Sequence, residues 1–179
     1  MRHLLTPVSQ RVSTIAIVLA LAGVPSSAQS IHEAPAASPS SGRVTPPGEP
    51  GEPLHVGGIV VGADGTPIGG ASLYVYQTDH EGYYGVKPVS DNRNPRLKLF
   101  LRTDAHGLWS FDTIRPGSYP NSRVPSHIHF QVSAADRAPK IFEIVFEGDP
   151  FVTAAMRRDP AFSVRPIEAG KVTERIVLQ

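Results

Sequence analysis

The 179-residue chain contains no cysteine, and its 17 lysines and arginines nearly balance 16 acidic residues. The lack of cysteine excludes disulfide bonds and a lipid-modified N-terminal cysteine, so the fold depends on its core alone. The balanced charge does not indicate a nucleic-acid-binding protein, which would carry a strongly basic surface. The apolar run at residues 12–24 is 13 residues long. A membrane-spanning helix needs roughly 20 residues, so this run is too short for one.

The N-terminus has the pattern of a secretory signal peptide. Arg2 and Arg11 precede the apolar run, and Ser26-Ser27-Ala28 supplies the small residues that a signal peptidase recognises. We therefore expect residues 1–28 to be a signal peptide cleaved after Ala28, and the protein to be secreted or periplasmic. An uncleaved anchor is the alternative. Without the two signal-peptide arginines, 15 basic and 16 acidic residues remain, and the net charge is −1.

The remainder divides into a polar segment and one domain. Residues 29–53 are rich in Pro, Ser, Ala, Gly and Glu and have almost no large apolar side chains, which predicts a flexible lead. Residues 54–179 have the size of a single domain. Seven short apolar or alternating runs, separated by turn residues, follow one another within it: 55–63, 71–78, 96–103, 107–114, 126–134, 139–147 and 171–179. This spacing predicts an all-β fold, an antiparallel β-sandwich with long loops and, at residues 151–158, at most a short helix.

A candidate metal site begins with the segment "VPSHIHF", residues 124–130. Residues i and i+2 of a strand share one face and lie about 7 Å apart, so His127 and His129 can reach the same ion. By itself this pair is equally typical of two half-exposed strand histidines. Two loops offer phenols in addition, Tyr119 in "RPGSYP" and Tyr83 or Tyr84 in "DHEGYYGV".

The residue types of this candidate site indicate which metal it would bind. A phenol has an ordinary pKa near 10, so a tyrosinate at neutral pH requires a strong Lewis acid. Hard anionic oxygens prefer hard, highly charged ions, whereas imidazole binds several transition metals. Two phenolates with two imidazoles therefore indicate ferric iron more than zinc. For either tyrosine alone, an aromatic side chain that caps the end of the sandwich remains the alternative.

Four segments in this order resemble the intradiol ring-cleavage dioxygenases, non-haem ferric enzymes such as protocatechuate 3,4-dioxygenase and catechol 1,2-dioxygenase. They are the stretch from "GEPLHVGG" to "HEGYY", the loop "TDAHGLWSFDTIRPGSYP", "VPSHIHF" and "FEIVFEGDP", within residues 51–150. The resemblance implies Fe(3+) as cofactor, with Tyr84, Tyr119, His127 and His129 as ligands. It also implies that substrate displaces Tyr119, and that catecholic aromatics are cleaved with O₂ to muconate-type diacids.

Two positions depart from the family pattern. Where the family usually has an arginine before Pro-x-His, this chain has Val124, with Arg123 one residue earlier. The family's usual glutamine on the strand that ends in "EGD" is Glu143 here. We expect Arg123 and Glu143 to be the catalytic candidates beside Tyr119, with Glu143 near the metal, paired with Arg123, or solvated. Both departures put the substrate range and the activity in question.

A second hypothesis is a non-catalytic, secreted β-sandwich module that binds metal or a phenolic ligand. Carboxypeptidase-regulatory-like and transthyretin-like domains share the style of "GGIVVGADGTPIGGASLYVY", so the four candidate ligands have to decide between the two hypotheses. The expected partners are a small catecholic substrate and O₂, with no nucleic acid and no membrane span after signal cleavage. A homo-oligomer is left open. Trp109 and Phe111 are expected in the core.

Overall fold

The computed structural model describes residues 31–179. The predicted signal peptide, residues 1–28, lies outside the described residues. Residues 31–179 form nine strands and no helix: β1 (Ser41–Arg43), β2 (Pro53–Gly62), β3 (Ser72–Gln77), β4 (Leu97–Arg102), β5 (Leu108–Ile114), β6 (His127–Ser133), β7 (Lys140–Phe146), β8 (Phe162–Arg165) and β9 (Lys171–Leu178). Within this range no helix is long and apolar enough to span a bilayer. The sequence predicts at most a short helix at residues 151–158. In the structure, residues 154–158 of this range form turns.

The strands form two sheets, one with the order β1-β5-β2-β9 and one with the order β4-β3-β6-β7-β8. This arrangement confirms the predicted all-β sandwich. The antiparallel part of the prediction holds only in part, because β1–β5, β2–β9 and β7–β8 pair in parallel. Each parallel pair joins strands that no tight hairpin connects, and a turn signal in the sequence reports only on neighbours along the chain.

The core lies between the sheets and follows the alternation of the strands. Along β6, Ile128, Phe130 and Val132 are completely buried in the core. The residues between them face the outer side of the five-stranded sheet. Trp109 and Phe111 pack on Phe130 from β5, which confirms their predicted place in the core.

The described part of the predicted flexible lead, residues 31–53, contacts both sheets. β1 pairs with β5, and the Ala34 N–H donates to Ser72 Oγ over 2.7 Å. Glu49 accepts two hydrogen bonds from Arg96, at 2.6 and 2.7 Å. Hydrogen bonds and an ion pair thus connect this part of the segment to the sandwich. A composition argument counts only its large apolar side chains.

Candidate metal centre

Strand β6 positions the two candidate imidazoles. His127 and His129 lie on the outer face of the five-stranded sheet, and their Nε2 atoms are 3.0 Å apart. β6 lies between β3 and β7, and the register places His129 opposite Tyr76 on one side and Glu143 on the other. A strand hydrogen-bonded on both sides is a rigid support for the two rings.

The two tyrosine loops are joined to each other. Asp79 Oδ1 accepts the N–H groups of Glu81 and Tyr83, both at 3.0 Å, and thereby shapes the loop that carries Tyr84. Gly82 has a φ of +91°, and a Cβ at this position would lie 2.0 Å from the Ser118 carbonyl oxygen. Only glycine therefore permits both the backbone conformation and the close approach of the two loops.

This packing brings all four predicted metal ligands together. The Tyr84 phenol contacts His129 Nε2 at 2.6 Å, and the Tyr119 phenol contacts His127 Nε2 at 2.9 Å. The two phenol oxygens contact each other as well. Two oxygens and two nitrogens from three separate segments thus meet at one point, below called the donor set.

The outer nitrogens of both rings are held by acceptors. His127 Nδ1 lies 2.7 Å from the Pro125 carbonyl oxygen, and His129 Nδ1 lies 3.2 Å from Glu143 Oε1. Each ring therefore keeps its proton on Nδ1 and turns the Nε2 lone pair into the donor set. Four contacts join the donor atoms, but the two phenols supply only two protons. Two of the four contacts are therefore left without a proton, and lone pairs face each other there. A cation at the centre of the donor set would remove this repulsion.

Burial determines the charge of the donor set. Burial, with a smaller effect of His127, lowers the pKa of His129 to about 3, so that ring is neutral. Burial also raises the pKa of the Tyr84 and Tyr119 phenols. The metal-free phenols are thus protonated, and a strongly polarising ion is required to make them phenolates.

The comparisons with known proteins agree with this geometry. The family model described as "Dioxygenase" matches residues 27–166. The chain belongs to the intradiol ring-cleavage dioxygenase family. It is 32% identical over 134 residues to hydroxyquinol 1,2-dioxygenase of Nocardioides simplex, a match that covers 66% of this chain and 44% of that one. The protocatechuate 3,4-dioxygenase beta chain of Burkholderia cepacia is 34% identical over 131 residues, covering 66% of this chain and 54% of the relative.

A solved structure shows the same fold. Catechol 1,2-dioxygenase from Acinetobacter sp. ADP1, inhibited by bound mercury, superposes with a TM-score of 0.62 at 20% identity, covering 80% of this chain and 59% of that one. The chain spans about half the length of the curated relatives it matches.

The two residues that depart from the family pattern have different environments. Glu143 lies beside His129, on the face that carries the donor set, and is partly buried. Burial raises the pKa of Glu143. Arg123 is exposed, and its guanidinium carbon lies 5.8 Å from the centre of the Phe151 ring. The structure therefore brings Glu143 to the predicted site and leaves Arg123 outside the donor set, with no ion pair between them among the described residues.

Two residues near the donor set were not predicted from the sequence to take part in the site. The Tyr76 ring stacks on His129, with centroids 4.3 Å apart and planes 11° apart. The alternation of "SLYVYQ" contains the signal, because it places Tyr74 and Tyr76 on the face opposite Leu73 and Val75. Asp149 accepts the Ser126 N–H at 3.0 Å and so anchors the residue before His127.

A cavity of about 290 Å³ adjoins the donor set through His129. Glu143, Tyr76, Phe142 and Phe162 are among its other lining residues. A larger groove of about 680 Å³ lies on the other sheet, and none of the four donor residues lines it.

Proposed function

We propose that the chain is a non-haem Fe(III) intradiol dioxygenase, which cleaves catecholic aromatics with O₂ to muconate-type diacids. The observation that carries this proposal is the convergence of two phenols and two imidazoles at one point. A β-sandwich that only binds a phenolic ligand would not need both imidazoles to turn their lone pairs inward. The relatives are named for an uncharged ring, hydroxyquinol, and for a carboxylate-bearing ring, protocatechuate.

Ferric iron fits the donor set. Tyr84, Tyr119, His127 and His129 would hold it, because phenolate oxygens prefer a hard, highly charged ion and imidazole tolerates one. When bound, the ferric ion would withdraw electron density from a chelated diol and make a ring carbon open to attack by O₂. Both oxygen atoms enter the product, so C₆H₆O₂ and O₂ give the diacid C₆H₆O₄ from catechol.

The chain's own groups divide the remaining work. Tyr84 is buried to 2% exposure, whereas Tyr119 is only partly buried and lies on the loop that leads into β6. We assign Tyr119 as the ligand that leaves, its phenolate oxygen taking one proton from the diol. Tyr84, His127 and His129 stay in place, and the Tyr76 ring keeps the His129 imidazole in its plane.

The first test is optical. Iron-loaded protein is expected to be red-brown, because tyrosinate transfers charge to ferric iron. Tyr84→Phe is expected to remove or shift this absorption. Tyr83→Phe is the matched control, since Tyr83 lies in the same loop and its ring faces the Lys87 ammonium, 5.7 Å from the ring centre. Colourless iron-replete protein, or equal spectra for the two variants, would contradict the ligand assignment.

The second test is turnover. Oxygen uptake with catechol, hydroxyquinol and protocatechuate should consume one O₂ per ring opened and yield a diacid. Iron binding without consumption of any diol would support the binding module instead.

We also propose that the protein is secreted or periplasmic and begins near Gln29 after signal cleavage. The support is the sequence pattern of residues 1–28. Mass spectrometry of the exported protein tests this, and an intact N-terminus would indicate the uncleaved anchor.

A further inference from the structure

We propose that Ser126 is a positioning residue, whose hydroxyl sets the place of the Tyr119 phenol at the donor set. Ser126 is not itself a ligand and acts through the backbone of the segment that carries Tyr119. This segment, residues 115–126, joins β5 to β6 and is below called the tyrosine arch. The inference rests on the proposed function, in which Tyr119 is the ligand that leaves.

A side-chain hydrogen bond closes the base of the tyrosine arch. Ser126 Oγ donates to the Pro116 carbonyl oxygen over 2.5 Å, and the two residues lie ten positions apart in the chain. Both residues are buried, Ser126 to 4% exposure. Without the hydroxyl, a buried carbonyl would lose its donor, which costs more than the loss of an exposed hydrogen bond.

Ser126 is fixed in place from another side. Its N–H donates to Asp149 Oδ2 at 3.0 Å, and Asp149 Oδ1 accepts the Phe151 N–H at 2.9 Å. Asp149 is buried and lies just beyond β7. Ser126 is thus an anchored point, from which its hydroxyl holds the other end of the arch.

The hydrogen bond joins two points of the chain that each lie next to a predicted ligand. Tyr119 follows Pro116 by three residues, and His127 follows Ser126 directly. The Tyr119 phenol lies 2.9 Å from His127 Nε2. The separation of Pro116 and Ser126 therefore sets how closely these two donors approach. Loss of the bond would loosen Tyr119, while the other three ligands keep their supports.

The expected effect is a shift of Tyr119 and not a collapse of the arch. The Gly117 N–H donates to the Asp79 carbonyl oxygen at 2.7 Å, and the Gly117 carbonyl oxygen accepts from Thr78 Oγ1 at 2.8 Å. These bonds hold the arch to the loop of Tyr84 and do not involve Ser126.

Ser126→Ala removes the hydroxyl and keeps the backbone N–H that Asp149 accepts. Its iron affinity, from competition with a chelator, should fall about 3–10-fold, the range for one hydrogen bond. Its tyrosinate absorption should shift toward that of Tyr119→Phe, because Tyr119 is held less firmly on the iron. Ser133→Ala is the matched control, since Ser133 is buried at the far end of the same strand and its hydroxyl donates to Glu33. It should leave affinity and spectrum unchanged.

A double variant separates positioning of Tyr119 from general support of the site. Ser126→Ala is combined with Tyr119→Phe, and its iron affinity is compared with that of Tyr119→Phe alone. If Ser126 acts through the Tyr119 phenol, the effect of Ser126→Ala should shrink to less than about twofold in this background. An equal loss of affinity in both backgrounds would overturn the inference.

A further measurement needs no metal. Amide hydrogen exchange of the metal-free protein, followed by mass spectrometry, should be faster in the tyrosine arch of Ser126→Ala than in the wild type. Ser133→Ala should leave exchange in the arch unchanged. Equal exchange in the arch of the wild type and Ser126→Ala would mean that the hydroxyl does not close its base.

The outcomes separate this inference from the proposed function. If the double variant behaves as expected but no diol is consumed, Ser126 positions a metal ligand and the proposed activity is wrong. If diols are consumed and both backgrounds lose the same affinity, the activity stands and the inference is wrong. If the wild type binds no iron, the proposed function is wrong, and hydrogen exchange decides whether Ser126 holds the arch.

Discussion

At the scale of single residues, His129 is bound from two sides. Its Nε2 belongs to the donor set, and its Nδ1 lies against the carboxylate of Glu143. His127 has the neutral carbonyl oxygen of Pro125 in the same place. A carboxylate acceptor fixes the orientation of the ring and makes the opposite nitrogen a stronger donor to metal. The two imidazoles are thus similar in geometry and differ in electrostatics.

Glu143→Leu is expected to weaken iron binding by about 10–100-fold, the usual effect of losing the acceptor behind a metal-binding histidine. Glu143→Gln should lose less, because its amide oxygen still accepts a hydrogen bond. Competition with an iron chelator measures both affinities. Glu147→Leu, beyond the same strand, is the control. An unchanged affinity in Glu143→Leu would mean that the 3.2 Å contact does not position His129.

How far the site could be predicted differs from residue to residue. Strand alternation placed His127 and His129 on one face, and the resemblance selected Tyr84 over the adjacent Tyr83. No sequence pattern reports which way a long side chain turns in an irregular loop, so Arg123 over Phe151 could not be foreseen. The stacking of Tyr76 on His129 depends on the β3–β6 register, which is set by pairing across distant parts of the chain.

At the scale of elements, the donor set depends on two loops held close together. The Gly117 N–H donates to the Asp79 carbonyl at 2.7 Å, and Thr78 Oγ1 donates to the Gly117 carbonyl at 2.8 Å. Loops are otherwise the most mobile parts of a sandwich. These hydrogen bonds therefore connect the positions of Tyr84 and Tyr119.

Gly82→Ala should separate these loops. The new Cβ would lie 2.0 Å from the Ser118 carbonyl oxygen, so the backbone has to move and the phenols move apart. We expect a loss of the iron absorption and a lower free energy of unfolding, by about 1–3 kcal/mol. Gly48→Ala is the control, because Gly48 has a similar φ of +78° but open space around its Cβ. Denaturant titration and the visible spectrum are measured for both variants. Backbone strain should lower the free energy of unfolding of both, whereas the clash and the loss of the iron absorption are expected for Gly82→Ala alone.

At the scale of the whole molecule, the sandwich is closed by contacts between distant parts of the chain. β9 joins β2 in parallel, and β8 joins β7 in parallel. Alternation in the sequence predicted the two faces of seven of the nine strands, and it missed β1 and β8. It could not predict these partners, because parallel pairing leaves no local turn signature. The N-terminal segment closes the molecule further: β1 extends the four-stranded sheet, and His32 reaches Gln131 on the five-stranded sheet.

The ion pair that holds this segment should make stability depend on pH. The hydrogen bond from Arg96 lowers the pKa of Glu49 below its ordinary 4.5. As the pH falls, the unfolded chain takes up this proton first, so the stabilisation is complete above about pH 4.5 and is lost as the pH falls through the lower, folded value. The Glu49 side chain is 8% exposed and the Arg96 side chain 34% exposed, so solvent screens the pair in part. Glu49→Gln should lower the unfolding free energy at neutral pH and flatten its acid dependence, measured by denaturant titration between about pH 7 and pH 3.

Glu52→Gln is the control for this prediction and should behave like the wild type. The Glu52 side chain is 67% exposed, and its contact with Arg115 is long, at 3.9 Å. If both variants follow the same acid curve, the Glu49–Arg96 pair does not hold the N-terminal segment against the sandwich.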